Sequence, residues 1–354
     1  MLKYAKTNSP RRYRNAMQSI NQSINQSINQ SINQSINQSI NQSINQSINQ
    51  SINQSIDKIV GFARTCRKPD EVFDFLTRHA VPFSPIGGMT NQNILLDLPG
   101  GKFVLRLPHP ARAALIDREH EAFNNDLAYR AGLNVETPVL DVRSGVKLTR
   151  YLENGAPLNQ TQLQDGRCLR LIAGNLRRLH GGNFAFRNTF NAFDAFRRYF
   201  SLLQDKDLFL KADARIDRLA DAFWRLEGVC RKLPLRPCHN DLVPENMLLQ
   251  GEGLFFIDWE YSGMNDPLFD LAAVIEEGRM PSEAADCLLE AYFAGGASDG
   301  ISARDAAARL TIHRFCQNVL WFLWTKVKEE QGEDFGGYAA RRLAAAFELS
   351  AVLP

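Results

Sequence analysis

The sequence predicts an α+β fold with two lobes, a small β-rich N-terminal lobe and a large, mostly helical C-terminal lobe. Strand signals are concentrated between residues 93 and 154, where short apolar runs flank a Pro-Gly-Gly turn. Helical periodicity dominates from residue 155 onward. We therefore predict a disordered extension over residues 1–56, an N-lobe over residues 57–154 and a C-lobe over residues 155–354.

Composition excludes several classes of protein. Residues 58–354 contain 36 basic and 38 acidic side chains, so they lack the clustered basic excess expected of a nucleic-acid-binding protein. The six cysteines form no CxxC pair, which argues against a zinc knuckle or a disulfide framework. The longest apolar run, residues 319–324, is too short to cross a bilayer, and no signal-peptide core is found. We expect a cytoplasmic protein without membrane insertion, of unknown oligomeric state.

Residues 19–54 repeat the tetrapeptide Ser-Ile-Asn-Gln nine times. Because Ser and Asn compete with helical hydrogen bonds, we expect disorder, with an aggregation-prone Asn/Gln segment as the alternative. The tetranucleotide TCAA, read three times, encodes Ser-Ile-Asn-Gln and returns to the same frame. We infer that gain or loss of one such unit switches expression on and off (phase variation), and that residues 1–56 contribute little to folding or activity.

The predicted N-lobe begins with a helix over residues 57–80, followed by a hairpin of residues 93–98 and 102–107. Residues 86–91, Ile-Gly-Gly-Met-Thr-Asn, form a turn that can present backbone N–H groups to an anion; an ordinary turn is the alternative. Residues 146–154 predict a strand that leads into a hinge at residues 155–157.

Alternation along the second hairpin strand places Phe103, Leu105 and Leu107 on one face and Val104 and Arg106 on the other, so we expect a cation among apolar neighbours. A cation in that position needs a carboxylate partner. The helix predicted over residues 110–131 offers Glu119 and Glu121, unless both are solvated surface charges.

Helical periodicity in the C-lobe predicts a series of helices. They cover residues 169–180, 190–203, 216–230, 282–293, 303–328 and 338–352.

The strongest chemical signal is the run His239-Asn240-Asp241, with Asn246 five residues after the aspartate and an apolar strand that ends at Asp258. This spacing is typical of the catalytic loop and metal site of kinases. Asp241 can accept the proton of an attacking hydroxyl, while Asn246 and Asp258 are oxygen ligands suited to Mg²⁺ on the phosphates of ATP. We expect His239 to brace the loop.

With these motifs, residues 80–350 resemble the choline kinase branch of the choline and aminoglycoside kinase superfamily, which is protein-kinase-like. The chain is most similar to bacterial choline kinases that supply phosphocholine for lipopolysaccharide and other surface glycans. The resemblance implies a bilobal protein-kinase-like fold and a kinase that uses ATP and Mg²⁺ to phosphorylate choline. Asp258-Trp259-Glu260 replaces the DFG motif of protein kinases, so no DFG-type flip is implied.

The resemblance also implies roles for individual residues. Arg106 stands where protein kinases carry a lysine, and the Arg-x-x-Glu spacing from Arg118 makes Glu121 the preferred partner. Asp270 corresponds to a buried carboxylate that steadies the catalytic loop. The implied nucleotide contacts are the phosphate-side residues Gly87, Gly88, Thr90 and Asn91 and the hinge residues Thr149 and Tyr151.

Trp321 and Trp324 lie three residues apart on a predicted helix and therefore share one face. A quaternary ammonium favours aromatic faces, at ~0.5 to 2 kcal/mol per contact. The resemblance places Tyr261 and Glu277 with the two indoles around choline. The alternative is that both indoles pack in the core.

Two other functions stay open. Ethanolamine or an aminoglycoside is the alternative acceptor, although an aminoglycoside would favour clustered carboxylates over paired indoles. A catalytically silent nucleotide-binding or adhesion protein is the second alternative. The intact Asp241, Asn246 and Asp258 argue against silence, and the missing export signal argues against adhesion.

Overall fold

The computed structural model describes residues 10–66, 68–86, 92–108, 116–294 and 302–354. Its helices are α1 (Pro10–Ala63), α2 (Pro69–Arg78), α3 (Arg118–Arg130), α4 (Gly166–His180), α5 (Ala192–Leu202), α6 (Asp207–Leu210), α7 (Ile216–Cys230), α8 (Leu268–Glu277), α9 (Ser282–Phe293), α10 (Ala303–Glu330) and α11 (Tyr338–Ser350). Its strands are β1 (Phe83–Ile86), β2 (Gln92–Leu98), β3 (Gly101–Leu107), β4 (Val139–Leu140), β5 (Lys147–Arg150), β6 (Ala156–Pro157), β7 (Arg236–Cys238), β8 (Met247–Gln250), β9 (Gly253–Phe256) and β10 (Gly263–Asn265).

The first five strands form an antiparallel sheet in the order β1-β2-β3-β5-β4, and the predicted hairpin is confirmed as β2 and β3. The register places Arg106 of β3 opposite Asn93 of β2 and opposite Lys147 of β5. Alternation therefore gives the sheet one polar face that carries these three residues. Its other face is apolar and includes the fully buried Leu105 and Leu148.

The end of α1 and the helix α2 cover the apolar face of this sheet. Ile56, Ile59 and Val60 are buried there in one cluster with the sheet and with α2. Ile52, in the last repeat unit, packs against the same cluster and against the β2–β3 turn. Gly100 of that turn has φ +96°, and a Cβ there would clash with the Ile52 side chain. The last repeat unit is therefore part of the N-lobe.

The expected disorder of residues 1–56 is not what the structure has, since residues 10–63 form one helix. Between Pro10 and Gly61 the sequence contains neither glycine nor proline. Nucleation is the costly step of helix formation, and the packed last turns of α1 provide the nucleus from which the repeat needs only to propagate. We therefore now expect only residues 1–50, rather than residues 1–56, to contribute little to folding and activity.

Upstream of Ile52, the repeat side chains that the structure describes are exposed. Ile36, Ile40 and Ile44 are 49%, 49% and 50% accessible. Because four residues turn an α-helix by about 400°, the isoleucine stripe drifts by about 40° per unit and forms no straight seam for a partner helix.

Helix boundaries near the N-lobe differ from the prediction in two places. The single helix predicted over residues 57–80 is two helices, because Lys68 is extended (φ −130°) before Pro69 begins α2. The helix predicted from residue 110 begins at Arg118 in the structure, and residues 110–115 lie outside the described residues. The Asp117 side chain caps this helix by accepting hydrogen bonds from two backbone N–H groups.

The C-lobe is mostly helical, as predicted. α7 and α9 have the predicted bounds, and α4, α5, α10 and α11 differ from them by a few residues at their ends. One apolar cluster surrounds α4, α8 and α9, and a second joins α5, α7, α10 and α11. Among the described residues, no helix has the length and apolar character that a membrane span requires.

The structure has the predicted bilobal protein-kinase-like architecture, with a β-rich part before a mostly helical part. β5 is the last strand along the chain in the five-stranded sheet, whereas β6 pairs with β8 of the C-lobe. We propose the boundary between the lobes at residues 154–155 for this reason.

Candidate active site

The catalytic-loop motif follows β7 and is held by Asp270 of α8. The Asp270 carboxylate accepts the backbone N–H groups of His239 (2.8 Å) and Asn240 (2.7 Å). His180 of α4 lies 3.1 Å from the same carboxylate. Asn240 adopts a left-handed φ of 67°, and its side chain donates to the Tyr261 carbonyl at 3.0 Å. These bonds fix the backbone that presents the next residue, Asp241.

His239 braces this loop from inside. Its Nε2–H donates to the Ile257 carbonyl (2.9 Å), and its Nδ1 accepts the Asp241 backbone N–H (3.3 Å). Burial lowers the pKa of His239, which favours the neutral ring that these two bonds require. The imidazole thus links Asp241 to the end of β9.

Asp241 and Asn246 lie side by side at the floor of a cleft between the lobes. The Asn246 amide donates to the Asp241 carbonyl oxygen at 2.9 Å and lies 3.4 Å from its carboxylate. Burial, together with the negative charges of Asp258 and Glu260, raises the pKa of Asp241 to about 8. In the ligand-free protein this carboxyl therefore holds a proton tightly near neutral pH.

Asp258 follows β9 in a left-handed conformation with φ 64°. Its carboxylate accepts a hydrogen bond of 2.8 Å from Arg106 Nη1, while Arg106 Nη2 donates to Glu121 at 2.7 Å. Although burial opposes the shift, the neighbouring carboxylates raise the pKa of Arg106. Of the two glutamates that the sequence offered, Glu121 is therefore the partner of Arg106, whereas Glu119 is exposed at the start of α3.

Three further charged residues complete this cluster. Arg118 donates to Glu121 at 2.5 Å and lies 3.4 Å from Glu260, and Lys147 Nζ lies 3.6 Å from Glu121. Burial and the Asp258 charge raise the pKa of Glu260 to about 7, and burial lowers the pKa of Lys147. We call this group the charged wall; it consists of Arg106, Arg118, Glu121, Lys147, Asp258 and Glu260.

Another part of the cleft lining consists of aromatic rings. Trp321 and Trp324 stand edge to face, with centroids 6.2 Å apart. Tyr261 contacts Trp321 at 5.6 Å, and Phe335 contacts Trp324 at 5.1 Å. We call these four rings, together with Tyr338, the aromatic wall. The indoles are only 6% and 9% exposed, yet both line the cleft, which has a volume of about 1190 Å³. Both indoles therefore pack in the core and also border the cleft.

Glu277 borders the cleft beside the aromatic wall, but its charge is already paired. It accepts a hydrogen bond of 2.8 Å from the Tyr338 hydroxyl and forms an ion pair with the buried Arg342. Burial lowers the pKa of Arg342 to about 10, which leaves the guanidinium charged at neutral pH. The Glu277 carboxylate, which the resemblance places with the two indoles, is therefore compensated by Arg342 in the ligand-free protein.

The hinge residues Thr149 and Tyr151 line the same cleft. The Tyr151 backbone N–H donates to the Lys102 carbonyl at 2.9 Å, so this amide is not available to a nucleotide base. Gly87, Gly88, Thr90 and Asn91 lie outside the described residues.

Sequence reasoning missed several residues of the site. Lys147 could have been found from the alternation that places it on the same face as Thr149, and Glu260 stands in the Asp-Trp-Glu run itself. Nothing in the sequence points to His180 or Arg342, because their partners are 90 and 65 residues away along the chain.

The fold and this cleft are those of a phosphotransferase of the protein-kinase-like superfamily. The chain belongs to the phosphotransferase enzyme family, whose sequence profile matches residues 82–309. It is 66% identical over 297 residues to Protein LicA of Haemophilus influenzae, and the match covers 84% of this chain and 88% of that protein.

Two solved structures are similar over most of the chain. The choline kinase LicA from Streptococcus pneumoniae superposes with a TM-score of 0.69 at 31% identity, covering 80% of this chain and 98% of that one. LicA in complex with AMP superposes with a TM-score of 0.67 at 30% identity, covering 79% and 96% of the two chains.

Proposed function

We propose that this enzyme transfers the γ-phosphoryl group of ATP to the hydroxyl of choline. The observation that carries the proposal is that one cleft is bordered by Asp241, by Asn246 and Asp258, and by the aromatic wall. A general base, oxygen ligands and an onium-binding surface are the parts that this reaction needs. Relatives named as choline kinase, and as a complex with AMP, support the same assignment.

Asp241 is positioned by the Asp270 bonds to accept the proton of the acceptor hydroxyl as the new P–O bond forms. Its high pKa in the ligand-free protein makes it a strong base once deprotonated. The Asn246 amide nitrogen faces the loop, so the amide oxygen is the atom left for a metal. Asn246 and Asp258 are oxygen donors of the kind that Mg²⁺ prefers, with Glu260 beside them. When bound, Mg²⁺ would neutralise charge on the phosphates.

The state of Glu277 favours choline over ethanolamine. A primary ammonium is best held by hydrogen bonds to an uncompensated carboxylate, but the charge of Glu277 is paired with Arg342 and its Oε1 already accepts from Tyr338. A quaternary ammonium has no N–H to donate and needs only aromatic faces and exclusion of water. Arg279 and Arg341 also border the cleft and would repel a polycationic aminoglycoside.

The test is a comparison of ATP consumption with choline, ethanolamine and kanamycin, with Mg²⁺ present and after its removal by EDTA. We expect choline to be the best acceptor, phosphocholine to be identified by mass spectrometry and EDTA to abolish turnover. Faster consumption with ethanolamine or kanamycin would overturn the choice of acceptor, and binding of ATP without turnover of any alcohol would favour a silent nucleotide-binding protein.

We further propose a cytoplasmic enzyme whose phosphocholine decorates surface glycans and whose expression is phase-variable. The first part depends on the family resemblance alone, and loss of phosphocholine from the glycans of a deletion strain would test it. The second depends on the agreement of a four-base unit with a four-residue repeat. Mixed synonymous codons over residues 19–54 would contradict it.

A further inference from the structure

By resemblance, Arg106 occupies the position where protein kinases carry their phosphate-binding lysine. Its guanidinium, however, already forms hydrogen bonds with two carboxylates. Its two terminal nitrogens donate to Asp258 and Glu121, and Glu260 lies 3.7 Å away. A planar guanidinium held at both ends by carboxylates is a rigid clamp. To bind a phosphate, it would first have to give up one of these bonds.

Lys147 is in a different situation. It lies directly opposite Arg106 on the neighbouring strand β5, so both side chains stand on the polar face of the sheet. Its side chain is 7% exposed and borders the cleft. The ion pair with Glu121, at 3.6 Å, is too long to be a hydrogen bond, so the ammonium donors are not used by that carboxylate.

The chemistry of the two side chains also favours Lys147 over Arg106 as the phosphate contact. A lysine ammonium is a compact charge on a flexible stem, which can follow a phosphate chain, whereas the clamped guanidinium cannot. Neighbouring strands are about 4.8 Å apart, so an extended lysine on β5 can reach past the Arg106 backbone into the cleft.

We propose that Lys147 supplies the cationic contact to the phosphate chain of the nucleotide, and that Arg106 positions Glu121 and Asp258. The two tasks that one lysine performs in protein kinases are thereby divided between neighbouring strands. This proposal rests on the proposed use of ATP but not on the identity of the acceptor.

The test is binding of adenosine, AMP, ADP and ATP to the full chain without choline, measured by calorimetry in EDTA and again with Mg²⁺. We compare the parent with Lys147→Met, which removes the charge but keeps the length, and with Lys147→Arg. Lys102→Met is the matched control, because Lys102 lies in the same sheet but does not border the cleft.

We expect Lys147→Met to weaken ATP binding by about 10- to 100-fold, the effect of one charge-assisted contact, with a smaller loss for AMP and little change for adenosine. Lys147→Arg should recover part of the loss, and Lys102→Met should behave as the parent. Equal losses for all four ligands together with a lower melting temperature would overturn the proposal, because Lys147 would then only support Glu121. Unchanged ATP binding would also overturn it. If the parent itself binds no nucleotide, the proposed function fails instead.

Discussion

The two walls of the cleft differ in composition, one being made of charged side chains and the other of aromatic rings, in line with the two different ligands that we propose for them. The charged wall sets three cations against three carboxylates within a few ångströms, so its net charge is near zero. The aromatic wall is made of rings, and the carboxylate beside it, Glu277, is paired with Arg342. A phosphate chain and a metal need charges that can exchange partners, whereas an onium group needs only surfaces that exclude water.

The walls also differ in what supports them. The aromatic wall is embedded in the helical cluster of α5, α7, α10 and α11. Two residues of the charged wall, Arg106 and Lys147, stand on one face of a thin sheet whose other face is covered by α1 and α2. The charged wall should therefore be the more sensitive of the two to changes at the N-terminus.

Removal of the N-terminal helix α1 should have the largest effect, and it should act on the charged wall rather than on the aromatic wall. Removal of residues 1–63 takes Ile52, Ile56, Ile59 and Val60 from the apolar face of the sheet, and each buried side chain contributes about 1.5 to 3 kcal/mol. We expect loss of ATP binding and of soluble yield. Removal of residues 1–50 is the matched control and should leave the melting temperature and turnover unchanged. A chain lacking residues 1–63 that binds ATP like the parent would show that α1 is dispensable.

Asp241 lines the same cleft as both walls, and its substitution should affect chemistry without affecting either wall. Asp241→Asn should lower kcat roughly 10²- to 10⁴-fold, the range for loss of a general base, while ATP affinity stays nearly unchanged. Steady-state kinetics and nucleotide binding on the same preparation measure the two quantities. Turnover within a few fold of the parent would exclude Asp241 as the base.

The sequence predicted the parts of this molecule that depend on local pattern. The hairpin, most C-lobe helices and the catalytic-loop spacing follow from periodicity and from side chains close together in the chain. The helix of the repeat was missed because its nucleus, around Ile56 and Val60, is stabilised by packing on a sheet that periodicity does not reveal. The pairing of Glu277 with Arg342 was missed because it joins two helices far apart in sequence.

The indoles test whether the aromatic wall binds the acceptor. Trp321→Leu or Trp324→Leu keeps an apolar side chain in the core but removes the π face, worth ~0.5 to 2 kcal/mol, so the KM for choline should rise about 2- to 30-fold. The KM for ATP should change little, and choline should be affected more than ethanolamine. Trp224→Leu is the control, since Trp224 packs in the same helical cluster away from the cleft. Equal loss with every acceptor, together with a lower melting temperature, would assign both indoles to the core alone.

The last comparison concerns stability against pH and needs no ligand, because the ligand-free cleft keeps a proton on Asp241. Its folded-state pKa of about 8 exceeds the model-peptide value of about 3.9, so the folded protein binds this proton more tightly than the unfolded chain. The resulting stabilisation is complete below pH 4 and is lost as the pH rises through 8. Asn imitates the protonated acid at every pH. In EDTA, Asp241→Asn should therefore exceed the parent in unfolding free energy by about 1.5 kcal/mol near pH 5 and by about 5 kcal/mol near pH 9. Denaturant unfolding at both pH values measures this difference, with Glu252→Gln as an exposed control. A constant difference between the two proteins from pH 5 to pH 9 would mean that Asp241 is ionised throughout.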